Sequence, residues 1–302
     1  ILEIFFMASS LVASHPIPQT VSVGYKITPP FFNILEAFST SLLIILIINK
    51  YIYIKYKNNL LIKVKLINRD YKVFSDFIEK SIHNFSNSGI VIKDSRNVIK
   101  TYESDKLVLN VKSFKIPNIF NAFIYNKIRS GKAERSYRFA QKLLKLGIDT
   151  PKPIAYFEFK TSLFFKNSYY VSEQINYDFS IRDVINDSNF TDRIKILKLF
   201  SSFTYKLHEN NINYLDHSPG NTLIKIDKGD YKFYLIDLNR MRFEKMSFEQ
   251  RMKNFNRLTK HSLVIKIFSE QYANLYDQKF ESVYEKMLHY SEKFFLNRKR
   301  LN

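Results

Sequence analysis

The pattern of this chain changes once, from strand-rich to helix-rich, and that change constrains its fold more than any other feature. Three short runs rich in β-branched residues come first, separated by polar turn clusters: 89–93, 98–102 and 107–112. Apolar residues then recur at the helical period over 132–146, and Gly147 followed by two prolines ends that helix. Strand patterns return at 154–158 and 169–172. These signals predict a small lobe of five strands and one helix.

Beyond residue 178 the pattern is mainly helical. Helices are predicted over five segments: 179–185, 193–208, 247–259, 261–276 and 278–296. A hairpin interrupts them, with strands at 222–226 and 232–236. The predicted fold class is therefore α+β with two lobes, in which a five-stranded β lobe with one helix precedes a mainly helical C-terminal lobe.

We expect three segments along the chain: an N-terminal extension at 1–75, the β lobe at 76–173 and the helical lobe at 174–302. The extension begins with Ile rather than Met and shows no sustained period. Its apolar run at 41–50 is shorter than the roughly 20 residues that a membrane-spanning helix needs. We expect this extension to be a start-site artefact or an interfacial or membrane segment.

The formal net charge of +19 calls for an anionic partner or an anionic neighbourhood. Nucleic acid, an acidic membrane surface and a phosphorylated substrate all qualify, and a biased composition with many solvated lysines explains the charge equally well. The absence of cysteine excludes disulfides and thiolate metal sites. Charge alone therefore does not choose among the partners.

The segment 214–221 carries polar residues that suit phosphoryl transfer. It lies between a predicted helix and the hairpin, whose second strand leads directly to Asp237. Phosphoryl transfer from ATP needs a carboxylate that orients or deprotonates the acceptor hydroxyl, and hard oxygen ligands for Mg²⁺. Asp216 suits the first role, and Asn221 and Asp237 suit the second. The step from Asp216 to Asn221 matches the kinase catalytic loop H-R-D-x-x-x-x-N.

A lysine on the third strand completes this set, because it would hold the α- and β-phosphates of ATP. Lys112 ends the run Val108-Leu-Asn-Val-Lys112 and precedes the predicted helix. Its alternative interpretation is a solvated lysine at a strand end. Lys115 is the other candidate, and the position of Lys112 on the third strand favours Lys112.

Six stretches of the sequence resemble one known family: 111–115, 132–137, 147–153, 216–221, 236–243 and 254–258. The chain is similar to the lipopolysaccharide kinases of the Kdo/heptose kinase type, in the forms typical of Bacteroidetes, from about Gly89 to Leu258. The resemblance implies a protein-kinase-like fold, ATP with Mg²⁺, and transfer of the γ-phosphoryl group to a sugar hydroxyl of the lipopolysaccharide inner core.

The same resemblance implies partners and a location. Kdo-lipid A would be the anionic substrate, met in the cytoplasm at the periphery of the inner membrane. An anionic membrane, rather than nucleic acid, would then face the basic surface of the protein.

The resemblance also implies residues that hold the nucleotide. The link between the lobes would lie at 172–175, where the backbone of Glu173 and Ile175 would pair with adenine. A helix carboxylate would pair with Lys112. Glu134 lies in the first helical turn, where the helix dipole also favours an acid, and Arg138 occupies the more central position where the family's acid is expected.

Two further departures from the kinase pattern lie in loops. Tyr214 stands where kinases usually carry His, and we expect this change to remove a side chain that organises the catalytic loop but not the chemistry. A glycine-rich loop is also missing, since 94–97 in the first hairpin offers no G-x-G-x-x-G. Arg96 in that turn would contact phosphate instead, or it is a plain surface residue.

Several alternatives stay open. A small-molecule or protein kinase of the same fold shares the Asp, Asn and Asp layout, and a catalytically weak pseudokinase would bind lipid or a protein partner. His217 is either a substrate contact or a loop histidine. The polar residues after Asp237 either hold the metal-binding loop, bind the anionic substrate or are solvated: Asn239, Arg240 and Arg242.

Overall fold

We describe the protein from a computed structural model that covers residues 62–114, 130–160 and 165–300. The apolar run at 41–50 and Lys115, both considered in the sequence analysis, lie outside these residues. Among the helices that the model describes, none combines the length and the apolar character needed to cross a membrane.

The small lobe is built on a six-stranded antiparallel sheet with strand order β1-β5-β6-β4-β3-β2. Its strands are β1 Ile62–Ile67, β2 Ile90–Asp94, β3 Asn97–Ser104, β4 Leu107–Phe114, β5 Pro153–Lys160 and β6 Phe165–Glu173. The five predicted strands correspond to β2–β6. Strand β1 lies in the segment expected to be an N-terminal extension, and it pairs with β5 along its whole length.

Helices cover both faces of this sheet. A 3-10 turn, Arg69–Phe74, leads into α1, Ser75–His83, and α2 spans Lys132–Lys145 as predicted. Helix α1 packs Ile78 and Ile82 against one face, and α2 packs Ala133 and Tyr137 against the other.

Strand alternation divides β4 between these two faces. Leu109 and Val111 are fully buried in the cluster beneath α1. Phe114 instead packs with Ala133 and Tyr137 of α2. Since Lys112 alternates with Val111, it lies on the α2 face of the sheet together with Phe114.

The second half of the chain is mainly helical. Its helices are α3 Ile181–Asn186, α4 Arg193–Glu209, α5 Phe248–Asn254, α6 Ser262–Tyr276 and α7 Phe280–Lys299. Its strands are β7 Phe179–Ser180, β8 Ile212–Tyr214, β9 Thr222–Asp227, β10 Asp230–Leu235 and β11 Met241–Phe243. The predicted helices and the β9–β10 hairpin are confirmed, while β8 and β11 were not predicted because each has only three residues.

The core of this helical part is aromatic. Phe200 of α4 and Phe268 and Tyr272 of α6 are fully or almost fully buried, and Phe255 packs between them. Such large side chains contribute about 1.5–3 kcal/mol each when they are removed from water. This core supports the loop that follows β8 from below.

Candidate active site

Two strand pairings bring the predicted catalytic residues together. In the β9–β10 hairpin, Leu235 pairs with Thr222, so the chain returns beside Asn221 before it reaches Asp237. The backbone N–H of Ile236 donates to the carbonyl of Asn221 at 3.0 Å. Strand β11 then pairs with β8, which fixes the segment after Asp237 next to the start of the loop 215–221.

Lys112 reaches Asp237 across the two parts of the molecule. Its ammonium group donates to Oδ1 of Asp237 at 2.7 Å, and its side chain is only 12% exposed. The side-chain amide of Asn239 donates to the same oxygen at 2.6 Å. The structure therefore brings together Lys112 and Asp237, two predicted site residues that are far apart in sequence. Asn239 helps to orient the carboxylate of Asp237.

The backbone of Asp237 adopts an unusual conformation. Its φ of 58° lies in the left-handed region, which a residue with a side chain seldom occupies. Such conformations cost about 1–3 kcal/mol and persist where the surrounding structure enforces them, often at functional sites. Here the hairpin on one side and the β8–β11 pair on the other hold this conformation.

Asp216 is held from several directions. The side-chain amide of Asn221 donates to its backbone carbonyl at 2.8 Å. Two guanidinium groups donate to its Oδ1 atom, from Arg257 at 2.6 Å and from Arg240 at 3.0 Å. Arg257 also donates to the carbonyl of Leu215 at 3.1 Å. The carboxylate thus has a fixed orientation, and Arg257 is a contributor that the sequence analysis missed.

Tyr214 organises the loop after all. Its side chain is fully buried, and its hydroxyl donates to the carbonyl of Ile236 at 2.5 Å. Burial, followed by the negative charges of Asp237 and Asp216, raises the pKa of Tyr214 well above its ordinary value, so the hydroxyl stays protonated and able to donate. The expectation that replacing His by Tyr removes a loop-organising side chain is therefore wrong.

Glu134 does not contact Lys112 among the described side chains. It forms an ion pair with Arg138, one helical turn later, at 2.7 Å. Helix α2 instead contacts the segment that follows Asp237. The Nε atom of its Arg135 donates to the carbonyl of Asn239 at 3.1 Å. The predicted pairing of Glu134 with Lys112 is therefore absent among the described contacts.

The predicted link between the lobes lies where β6 ends. The backbone N–H of Glu173 donates to the carbonyl of Lys152, and that of Gln174 donates to the carbonyl of Val108. The side chain of Glu173 turns away to accept from the hydroxyl of Tyr71 at 2.5 Å. Ile175 follows directly, and its carbonyl accepts from the side chain of Gln174 at 3.1 Å. The backbone of this segment is thus fixed to the sheet.

His217 belongs to a buried polar network beneath the loop. Its Nδ1 lies 3.1 Å from Oδ1 of Asn254, and Nε2 of His208 lies 3.2 Å from the same oxygen. The amide nitrogen of Asn254 donates to the carbonyl of Tyr214 at 3.0 Å. Burial lowers the pKa of His217 to about 4 and that of His208 to about 3, so both rings are neutral at pH 7. Of the two interpretations, the geometry agrees with a loop histidine.

Positive charges gather beside Asp237. The ammonium groups of Lys112 and Lys132 lie 5.3 and 6.0 Å from the centroid of the same ring, that of Phe114. Burial lowers the pKa of Lys132, and the nearby charges of Arg96, Arg135 and Lys112 lower it further. Such a concentration of cations around one carboxylate suits a polyanionic ligand such as a polyphosphate.

One family model and several solved structures are similar to this chain. The model of the lipopolysaccharide kinase (Kdo/WaaP) family matches residues 118–278. A solved structure of WaaP in complex with acyl carrier protein is similar with a TM-score of 0.53 at 14% identity, over 76% of this chain and 97% of that chain. The complex of the Rio2 kinase with ADP/Mg²⁺-phosphoaspartate from Chaetomium thermophilum covers 80% of this chain and 75% of its own, with a TM-score of 0.41 at 12% identity. No curated protein matches the chain.

Proposed function

Because the chain belongs to the lipopolysaccharide kinase (Kdo/WaaP) family, we propose that it transfers the γ-phosphoryl group of ATP to a hydroxyl of Kdo or heptose in the inner core of a lipopolysaccharide precursor. The family is one of kinases that act on lipopolysaccharide sugars. The single observation that best supports the proposal is the contact between Lys112 and Asp237 beside Asp216 and Asn221. Kdo-lipid A is the acceptor that we propose to test first.

Asp216 is the proposed base. Phosphoryl transfer depends mainly on positioning and electrostatic stabilisation, so the carboxylate needs above all a fixed place. Arg257 and Asn221 provide that place through the contacts at Oδ1 and at the backbone carbonyl. The acceptor hydroxyl would donate to this carboxylate as it attacks the γ-phosphorus.

Asn221 and Asp237 offer the oxygen ligands that Mg²⁺ prefers. The amide nitrogen of Asn221 donates to the carbonyl of Asp216, while its Oδ1 accepts no hydrogen bond from the described residues and is available to coordinate. Among the described residues, Oδ2 of Asp237 accepts no hydrogen bond, whereas its Oδ1 is occupied. No dedicated cluster of His, Cys, Asp or Glu occurs in the described part of the chain. That fits Mg²⁺, which usually takes one or two carboxylates and completes its shell with phosphates and water.

The nucleotide would be held from the β lobe. Lys112 would contact the α- and β-phosphates, with Lys132 and Arg96 adding positive charge nearby. We place adenine at the backbone of Glu173 and Ile175, where the segment is fixed to the sheet. When bound, Mg²⁺ would neutralise charge on the phosphates, and Lys112 would lower the charge further.

We also propose that the reaction takes place on the cytoplasmic side of the inner membrane, with the protein at its periphery. A basic chain of net charge +19 would be attracted to an anionic leaflet and to an anionic lipid substrate. The attraction weakens as salt is added, because the charges are screened.

Transfer of radiolabel from ATP to Kdo-lipid A, or to its heptosylated form, tests the proposal. The wild-type chain should label one acceptor in the presence of Mg²⁺. Asp216→Asn should lower kcat by about 10²–10⁴-fold, the usual contribution of a general base. Asp230→Asn, a matched change in the exposed β9–β10 turn, should keep wild-type activity. Equal labelling by Asp216→Asn and wild type would contradict the assignment of the base.

A catalytically weak relative is the second candidate, and one observation favours it. Lys112 is bound to Asp237, and the helix carboxylate Glu134 is engaged by Arg138. Such a protein would bind ATP in calorimetry and transfer no phosphate to any acceptor. A kinase of the same fold with another small-molecule acceptor would instead label that acceptor in side-by-side assays.

A further inference from the structure

Arg182 lies directly on the catalytic loop. A Cβ atom placed on Gly220 would come within 2.3 Å of the guanidinium nitrogen of Arg182 and within 2.7 Å of its Cζ. Gly220 is one of the residues between Asp216 and Asn221, so the guanidinium group of α3 touches the loop that carries the proposed base. No local pattern in the sequence indicates this contact between Arg182 and Gly220.

The space that Arg182 occupies explains the glycine. Gly220 does not lie in the left-handed region, where Gly89, Gly147 and Gly229 are found. Its backbone conformation is therefore open to other residues. The three heavy atoms nearest to such a Cβ atom all belong to the guanidinium group of Arg182.

The backbone of Arg182 is held in place by α3, but its guanidinium group has no anionic partner among the described residues. Helix α3 begins with a capping box between Ser180 and Asp183, and Ile181 and Val184 are fully buried. Arg182 is exposed, and within the described residues it makes no hydrogen bond and no ion pair. The positive charge of Arg182 thus lies against Gly220, and the described part of the chain supplies no anion to pair with it.

Arg240 contributes a second open cation at the same loop. Its side chain is 55% exposed, and in the described part of the chain its guanidinium group forms one hydrogen bond, with Oδ1 of Asp216. Arg257 differs, because it also donates to the carbonyl of Leu215 and lies over the ring of Phe294. Arg257 is therefore a positioning residue for Asp216, while Arg240 is able to exchange its partner.

We propose that Arg182 and Arg240 bind an anionic group of the acceptor, a carboxylate or a phosphate, beside the hydroxyl that is phosphorylated. Guanidinium groups recognise both anions through paired, charge-assisted hydrogen bonds. When Arg240 turns from Asp216 to that anion, Oδ1 of Asp216 keeps its contact with Arg257 and gains one open acceptor position for the hydroxyl. This inference rests on the proposed function, because it names a recognition element of the same site.

Steady-state kinetics with the full chain tests the inference. Arg182→Gln should raise the KM for Kdo-lipid A by about ten-fold or more, the loss expected for a hydrogen bond to a charged group. The KM for ATP should stay within about two-fold. Arg182→Lys should recover part of the loss, because it restores the charge without the paired donors. Lys198→Gln, a matched loss of an exposed charge on α4, should leave both values unchanged.

Gly220→Ala provides an independent variant. It would displace the flexible end of Arg182 and keep an allowed backbone, so its acceptor KM should rise as in Arg182→Gln. Two modified acceptors distinguish the sources of the anion. If esterifying the Kdo carboxylate weakens binding to wild type but not to Arg182→Gln, the anion is the carboxylate. If removing the lipid A phosphates does so, it is a phosphate.

Three outcomes would overturn the inference: an unchanged acceptor KM in Arg182→Gln, an equal rise in the KM for ATP, or no effect of either acceptor modification. Binding of Kdo-lipid A in detergent micelles, measured without ATP, separates this inference from the proposed function. A wild-type chain that binds it through Arg182 but transfers no phosphate contradicts only the proposed function. A chain that transfers phosphate equally well with and without Arg182 contradicts only the inference.

Discussion

Two single side chains, Tyr214 and Glu134, determine which groups contact Asp237 and its neighbour Ile236. Tyr214 supplies, through its hydroxyl, the link between the start of the catalytic loop and the carbonyl before Asp237. Glu134 and Arg138 bind each other, and Lys112 turns to Asp237 instead. The chain therefore anchors its proposed metal ligand from the loop and from the sheet at once.

The tyrosine hydroxyl gives a prediction at this scale. Tyr214→Phe removes one oxygen and leaves the partly buried carbonyl of Ile236 without this donor. Such an unpaired group costs about 1–3 kcal/mol, so the free energy of unfolding in urea should fall by that amount. The kcat for phosphate transfer should fall too, because Asp237 loses part of its support.

Tyr177→Phe is the control for this change. Tyr177 is 50% exposed, and a substitution there should alter the free energy of unfolding by less than about 0.5 kcal/mol. If Tyr214→Phe proves as harmless as Tyr177→Phe, the hydroxyl does not hold the loop.

Helix α5 and the strand pair β8–β11 are the elements that support the loop 215–221. Helix α5 begins at a capping box formed by Ser247 and Gln250, and it ends at Asn254. From this end Asn254 contacts the two buried histidines and the carbonyl of Tyr214. One side chain therefore joins a helix end to the loop.

Asn254→Ala tests this junction. It would leave two ring N–H groups without partners and remove one of the two donors to the carbonyl of Tyr214. We expect the free energy of unfolding to fall by about 3 kcal/mol or more, measured by urea titration. Asn256→Ala, two residues later, changes a side chain with no hydrogen bond among the described residues, and it should cost less than about 1 kcal/mol. Similar losses for the two variants would show that the network adds little.

For the whole molecule, the buried histidines predict how stability depends on pH. His208 and His217 have ordinary pKa values of 6.5, which burial lowers to about 3 and about 4 in the folded state. Between pH 6.5 and 4 the unfolded chain therefore binds more protons than the folded chain. The free energy of unfolding rises with pH wherever the unfolded state binds more protons. It should therefore be greatest above pH 6.5 and decline as the pH is lowered.

Each histidine contributes a slope of about 1.4 kcal/mol per pH unit in that range. Urea unfolding at pH 7.5, 6.0 and 5.0 measures the slope, and His208→Gln together with His217→Gln should flatten it. His289→Gln, a change at an exposed position of α7, should leave the slope as in wild type. An equal slope in wild type and the double variant would contradict the assignment.

Much of the fold follows from local pattern. The strands β2–β6, helix α2, the β9–β10 hairpin and the later helices lie where the periods of apolar residues place them. Strand β1 was missed because its partner, β5, lies far along the chain and no local signal indicates that pairing. The short strands β8 and β11 are stabilised by each other rather than by their own sequences.

Local sequence was enough to predict the order of the elements, the spacing from Asp216 to Asn221, and the strand that carries Lys112, because these depend on residues near one another in the chain. Tertiary structure alone decided that Lys112 contacts Asp237, that Tyr214 supports Ile236, and that Arg182 lies on Gly220. Each of these contacts joins separate elements, and its existence depends on how strands pair and helices pack. Periodicity in the sequence carries no information about such distances.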